Sequence, residues 1–242
     1  MSLINILVLA AGKSPNQNGE RDFPLCLTEI GNNSLLEKII QNTSTLSNGK
    51  YSFIFLEKES QRFHLDKIVS LLIKDSKCVL VPEHTQGSAC TALLSASQLD
   101  QDAELLIVSA NELVDLDLET VIVGFREKKL DAGTLIFRSL HPRYSFVSLD
   151  ENGFVKETAQ KEPISNNATV GIFWYAKTSD FVNGAKNLIR KDAKVDDKFF
   201  LAPVFNELVL QHKRIGVFNL PDGRYFPLKT EQQIDIFQGG NQ

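Results

Sequence analysis

The chain has 242 residues, 43% of them hydrophobic and 23% charged, a mixture that excludes disordered, collagenous and coiled-coil arrays. A chain of this length buries roughly 70% of the surface that its unfolded form exposes, so it needs no disulfide or metal staples. Its formal charge of −4, with no basic stripe, argues against nucleic acid as a partner.

Leu3 to Leu9 is a nearly continuous apolar run that ends at Ala10-Ala11-Gly12, so it predicts a strand buried on both faces. Residues 12–24 are polar and rich in turn formers, which predicts a loop. A helix follows, with Ser34 as N-cap, Glu37 completing a capping box, and Leu35, Leu36, Ile39 and Ile40 as its apolar face. Tyr51 to Leu56 predicts a strand, Phe63 to Ile73 a helix, Cys78 to Val81 a strand, Ser88 to Leu94 a helix and Glu104 to Ser109 a strand. Asp115 or Asp117 would cap a helix from Leu118 to Lys128. Arg126, Lys128 and Lys129 at its end form the longest basic cluster and read as solvated.

The second half changes texture. Ala132 to Arg138, Tyr144 to Leu149 and Val170 to Tyr175 alternate in the manner of strands, with a turn at Asp150-Glu151-Asn152-Gly153. Helices are expected at about Ser179 to Arg190, Phe200 to His212 and Thr230 to Phe237, with a strand from Arg214 to Asn219. Trp174 and Tyr175 are expected in the core. Strands alternating with helices predict a mostly parallel sheet with crossover helices, and such sheets bind ligands beyond the carboxyl ends of their strands. No apolar run reaches ~18 residues and the start of the chain lacks a basic region, so neither a membrane span nor a signal peptide is expected. Cys26, Cys78 and Cys90 suit neither a disulfide framework nor a metal site, and a reducing cytoplasm is the expected compartment.

Three segments carry residues suited to chemistry. Leu9-Ala10-Ala11-Gly12 lets a ligand approach the backbone closely, and Lys13 adds a cation; the plain alternative is a tight turn. Gly87 and Ser88 precede a helix whose N-terminus favours anions, or merely cap it. Asn111-Glu112 and Asp115-Leu116-Asp117 follow a strand, where paired carboxylates can share Mg²⁺ or cap the next helix.

Ile6 to Lys13 resembles the opening of the nucleotidyltransferase family that makes nucleoside-diphosphate sugars. Phe23-Pro24-Leu25 with Leu35-Leu36-Glu37, Gln86-Gly87-Ser88-Ala89, and Leu105 to Asn111 resemble further motifs of that family in order. Tyr144-Ser145-Phe146, Pro163-Ile164-Ser165-Asn166 and Ala168 to Ile172 continue the resemblance. Phe199 to Leu208 is similar to a subgroup of capsule and surface-polysaccharide pathways. The resemblance implies a three-layer α/β/α Rossmann-like fold with a mixed central sheet, of the kind shared with GT-A glycosyltransferases. It implies one domain over residues 1–242, with a nucleotide-binding half to residue 130 and a sugar-phosphate half from 131.

By resemblance, Leu9, Ala10, Ala11, Gly12, Gly87 and Ser88 would bind a nucleoside triphosphate or nucleotide sugar. Phe146, Gln160 and Gly171 would bind the sugar phosphate, and Asn111 and Asp115 would hold Mg²⁺ in an active chain. Lys13, Arg21 and Lys161 would be the catalytic cations, and a homodimer is compatible with the family. The family's chemistry is attack of a sugar phosphate on the α-phosphate of a triphosphate, which rests on positioning and charge neutralisation.

The charged positions depart from the pattern. Ser14-Pro15-Asn16 replaces the loop arginine, leaving Arg21 nearest, and Leu25 stands at a lysine position. Asn111 stands at the metal-binding aspartate, and only Lys161 survives of an E-K-P motif in Gln160-Lys161-Glu162-Pro163. Tyr225 to Glu231 matches a late motif but lacks its Asp and Gly. Removing one preorganised charge typically costs ~10²–10³ in rate. The expectation is therefore a nucleotidyltransferase-like protein with impaired catalysis. The alternatives are a catalytically inactive regulatory homologue that binds a nucleotide or a partner, an active enzyme with relocated charges, in which Glu112, Asp115 or Asp117 holds the metal, and a glycosyltransferase-like enzyme that uses Asp115-Leu116-Asp117.

Overall fold

The computed structural model describes residues 2–12 and 23–239. Lys13 and Arg21 lie outside the described residues. The strands are β1 (Ile4–Leu9), β2 (Glu29–Ile30), β3 (Asn33–Ser34), β4 (Gly49–Leu56), β5 (Lys77–Val81), β6 (Glu104–Ser109) and β7 (Glu112–Val114). They continue with β8 (Ala132–Arg138), β9 (Ser145–Leu149), β10 (Val155–Gln160), β11 (Asn167–Tyr175), β12 (Ile215–Asn219) and β13 (Tyr225–Pro227). The helices are α1 (Leu35–Thr43), α2 (Glu57–Phe63), α3 (Leu65–Leu72), α4 (Ser88–Leu93), α5 (Leu118–Glu127), α6 (Thr178–Arg190), α7 (Val204–Val209) and α8 (Glu231–Gly239).

The main sheet runs β10-β9-β11-β6-β1-β4-β5, with β8 and β12 attached through β11. β1 pairs in parallel with both β4 and β6, whereas β11 is antiparallel to β6, β8 and β9, so the sheet is mixed. Alternation along β1 and β6 sorts the core into two faces. Ile4, Ile6, Val8, Leu106 and Val108 pack under α1, α3 and α5. Leu7, Leu105 and Ile107 pack under α4, α6 and α7. Three layers result: helices, sheet and helices, as expected from the sequence. No helix among the described residues is long and apolar enough to cross a membrane.

Ser34 and Glu37 form the expected capping box on α1, and Asp117 caps α5 by accepting from Glu119 N at 3.2 Å. Four local expectations need correction. The helix expected from Phe63 to Ile73 is broken at His64, whose φ of 52° is left-handed, so α2 and α3 meet there at an angle that a continuous helix forbids. The helix expected from Phe200 shrinks to α7, because the chain enters through i to i−3 bonds at Leu201, Ala202 and Pro203. The acidic segment after β6 is not all loop, since Glu112 to Val114 pair with β13. Arg126 is not solvated: it donates from Nε to both oxygens of Glu104, at 3.0 and 3.1 Å. That carboxylate also accepts from Trp174 Nε1 at 3.0 Å, which ties α5 to β6 and β11.

Candidate functional site

β1 and β6 are neighbours, yet the chain leaves β1 towards β4 and β5 on one side before returning to β6 on the other. The crevice at their carboxyl ends is therefore the topological switch point where open α/β sheets bind ligands. The ladder extends past the strands there, since Ala110 N donates to Leu9 O and Ala10 N donates to Ile54 O, both at 2.9 Å. Ala10-Ala11-Gly12 and Asn111 consequently emerge side by side.

Two cavities open at this point. One, of about 150 Å³, is lined by Leu9, Ala10, Gly12, Leu25 and Cys26. The other, of about 250 Å³, is lined by Ser88, Arg143, Ser145, Gln160 and Gly171. Asn111 and Lys229 line both, so the two spaces meet at these side chains. A larger groove of about 520 Å³ lies elsewhere, between α1, β7 and α8. It contains Asp115 but none of the carboxyl-end residues of β1 or β6.

Lys229 reaches the crevice through β13. The β7–β13 pairing sets Pro227 opposite Glu112, and Leu228 N donates to Asn111 O at 2.9 Å. The Lys229 ammonium then lies 3.1 Å from Glu112 Oε2 and 5.4 Å from the centre of the Tyr144 ring. Glu112 is almost fully buried, and its other partners are the Tyr225 hydroxyl, which donates to Oε2 at 2.8 Å, and the Gly171 N–H, which donates to Oε1. Burial first, and the Glu112 carboxylate second, push the Tyr225 phenol well above its usual range, so it stays a donor. Gly171 has no room for a side chain: a Cβ there would meet the Glu112 carboxylate and stand 2.5 Å from Ser109 Oγ.

Gly87 is required for a different reason. Its φ is +106°, and a Cβ would strike the carbonyl of Phe199. Phe199 N donates to Gln86 O at 2.8 Å and Ala89 N donates to Phe199 O at 3.0 Å, which fixes Ser88 in the wall of the larger cavity. Gln160 shares that wall and accepts from the Ser145 hydroxyl.

The remaining expected residues are placed otherwise. Phe146 is fully buried against Tyr144 and Ala168, and Ser145 beside it faces the cavity. Lys161 stands next to the cavity wall with its ammonium 2.6 Å from Asp196 Oδ2 and 5.9 Å from the Phe200 ring. Asp115 is ion-paired with Arg224, and Asp117 is engaged by the start of α5, so neither joins Asn111. Arg143, Lys229 and Tyr225 were not singled out by the sequence. Lys229 stands inside the late motif that lacks its Asp, but only the long-range pairing of β7 with β13 carries it to the crevice.

The donor set does not fit Mg²⁺, which takes oxygen ligands and is usually held by one or two carboxylates. Asn111 supplies a neutral amide, whose Oδ1 is buried and accepts no hydrogen bond. Both Glu112 oxygens already accept from protein donors. Among the described residues, no group of three His, Cys, Asp or Glu side chains could hold a metal ion.

The fold is shared with solved proteins. A nucleoside-diphosphate-sugar pyrophosphorylase from Vibrio cholerae superposes with a TM-score of 0.81 at 18% identity, over 97% of this chain and 99% of that one. A protein assigned as a glucose-1-phosphate thymidylyltransferase of Bacillus anthracis, solved with sucrose, superposes with a TM-score of 0.77 at 14% identity, over 98% and 94%. No protein-family model matches the chain, and no curated protein matches it in sequence.

Proposed function

We propose that the protein binds a nucleoside-diphosphate sugar, or its triphosphate and sugar-phosphate precursors, across the two cavities, and that its nucleotidyl transfer is impaired. The observation that carries this reading is the meeting of the cavities at Asn111 and Lys229, at the switch point between β1 and β6. The small residues Ala10 and Gly12 leave room for a base to approach the backbone, and Cys26 and Leu25 close the far side with apolar surface. Arg143, Ser145 and Gln160 supply the cation and hydrogen-bonding groups that a sugar phosphate needs. The resemblance to nucleotidyltransferases and the names of the two structural neighbours agree with a nucleotide on one side and a sugar on the other.

The impaired-catalysis part rests on charge. Phosphoryl chemistry needs cations arrayed around the reacting group, and among the described residues Leu25 and the neutral Asn111 line the cavities at positions where the resemblance calls for a lysine and an aspartate. Thermal unfolding against nucleoside triphosphates and nucleoside-diphosphate sugars tests the binding. A ligand at 100 times its Kd stabilises by about 2.7 kcal/mol, an easily read shift in Tm. A pyrophosphate-release assay with the best triphosphate and a panel of sugar 1-phosphates tests the impairment: release at ordinary enzyme rates, roughly 1 s⁻¹ or faster, contradicts it.

A further inference from the structure

Resting on that reading, we infer that the Lys229 ammonium is the resident cation of the site, doing for the ligand's phosphates what a divalent metal would otherwise do. Nucleotide-sugar binding is accordingly independent of Mg²⁺.

Four observations converge on one point. Lys229 lines both cavities, so a ligand that spans them passes its side chain. The almost fully buried carboxylate beside it, Glu112, is held from three directions, by Gly171, Tyr225 and Lys229. The Lys229 ammonium carries three N–H donors, so its ion pair with Glu112 leaves donors for phosphate oxygens. Asn111, which shares both walls, is a neutral amide where a metal ligand would carry charge.

The charge count is consistent. Mg²⁺ between two carboxylates is neutral overall, and so is Lys229 beside one carboxylate and one amide. Arg143 on the wall of the larger cavity adds a cation that the Glu112 pair does not cancel, so the crevice keeps a net positive charge for the ligand's phosphates. A divalent ion in the same place would meet the ammonium's repulsion and find the carboxylate oxygens already taken.

The test is isothermal titration of the full-length protein with UDP-glucose, dTDP-glucose, CDP-glucose and GDP-mannose, each in excess EDTA and in excess Mg²⁺. The inference predicts that the ligand which binds does so with the same Kd, within about twofold, in both buffers. It predicts that Lys229→Met weakens that binding by about tenfold or more, the scale of one charge-assisted contact. Lys229→Arg, which keeps the charge, is predicted to retain most of the affinity, and urea unfolding of Lys229→Met, which must show a folded protein under the titration conditions, separates lost binding from misfolding. Binding that requires Mg²⁺, or that survives Lys229→Met unchanged, overturns the inference and leaves the proposed function standing. Absence of binding by all four nucleotide sugars, and by the corresponding triphosphates titrated in the same two buffers, overturns the proposed function itself and the inference with it.

Discussion

Lys229 and Glu112 form an ion pair of 3.1 Å in which the carboxylate is 1% exposed and the ammonium side chain 31% exposed. The pair is therefore asymmetric: Glu112 is an anchor in the interior, and Lys229 is the end that faces the crevice. Its partners come from β11 and from β13 with the residues just after it, so one carboxylate ties two distant stretches of chain to the site.

Glu112→Ala is predicted to be among the most damaging single changes at the crevice. It strands the Tyr225 hydroxyl, the Gly171 N–H and the Lys229 ammonium, and an unsatisfied buried group costs about 1–3 kcal/mol. A loss of about 3 kcal/mol in urea unfolding is expected. Asp115→Ala breaks an exposed pair with Arg224 and is expected to cost no more than about 1 kcal/mol. Equal losses in the two variants would contradict the assigned roles.

Gly171→Ala places a methyl group against the Glu112 carboxylate and Ser109. Overpacking of this kind costs about 1–3 kcal/mol. The variant is predicted to unfold at lower urea and to bind any nucleotide ligand more weakly, because Glu112 must move and Lys229 moves with it. An unchanged midpoint would show that the strand accommodates the methyl.

Acid stability should carry the signature of the α1 cap. The Ser34 backbone N–H, followed by its hydroxyl, holds the Glu37 carboxyl below its ordinary value of 4.5. A carboxyl depressed in the folded chain contributes stability above its unfolded value, and that contribution is lost as pH falls through the folded value. Ser34→Ala is predicted to cost about 1 kcal/mol at pH 7 and progressively less at acid pH, as the carboxyl that the hydroxyl faces is protonated. Denaturation at neutral and acid pH gives the comparison, and a penalty independent of pH would contradict it.

The thiol in the smaller cavity should be inert. Burial, with Glu59 as a lesser cause, pushes Cys26 up to about 12. At pH 8 its thiolate fraction is then on the order of 10⁻⁴, too little for nucleophilic attack. Alkylation of the native protein followed by mass spectrometry is predicted to label Cys90, which is partly exposed, well before Cys26. Rapid labelling of Cys26 would mean that this wall of the cavity opens.

The elements that position the site were legible wherever the signal is local. β1 and β6 stand out as apolar runs, α1 announces itself by its capping box, and Asp117 was one of two named caps for α5. The alternation of strands and helices pointed to the carboxyl ends of the strands, but that β1 and β6 lie side by side there comes from the sheet order. Lys229 was not legible, because its place depends on pairing two three-residue strands more than a hundred positions apart. Strands that short have no measurable period, and nothing in local sequence encodes their register. Arg126 misled for a similar reason: its charge suggested solvent, but its partner, Glu104, lies on a strand under the helix. His64 carried no break signal, since histidine enters left-handed backbone less readily than glycine.

The most direct measurement is the crystal structure of the protein with the nucleotide sugar that stabilises it most, grown in the presence of Mg²⁺. The base is predicted in the cavity of Leu9, Ala10 and Gly12, the diphosphate beside Lys229 and Asn111, and the sugar towards Gln160 and Arg143, with no metal bridging the phosphates. A ligand bound in the groove between α1 and β7, or a Mg²⁺ ion coordinated by Glu112 and the diphosphate, would contradict it.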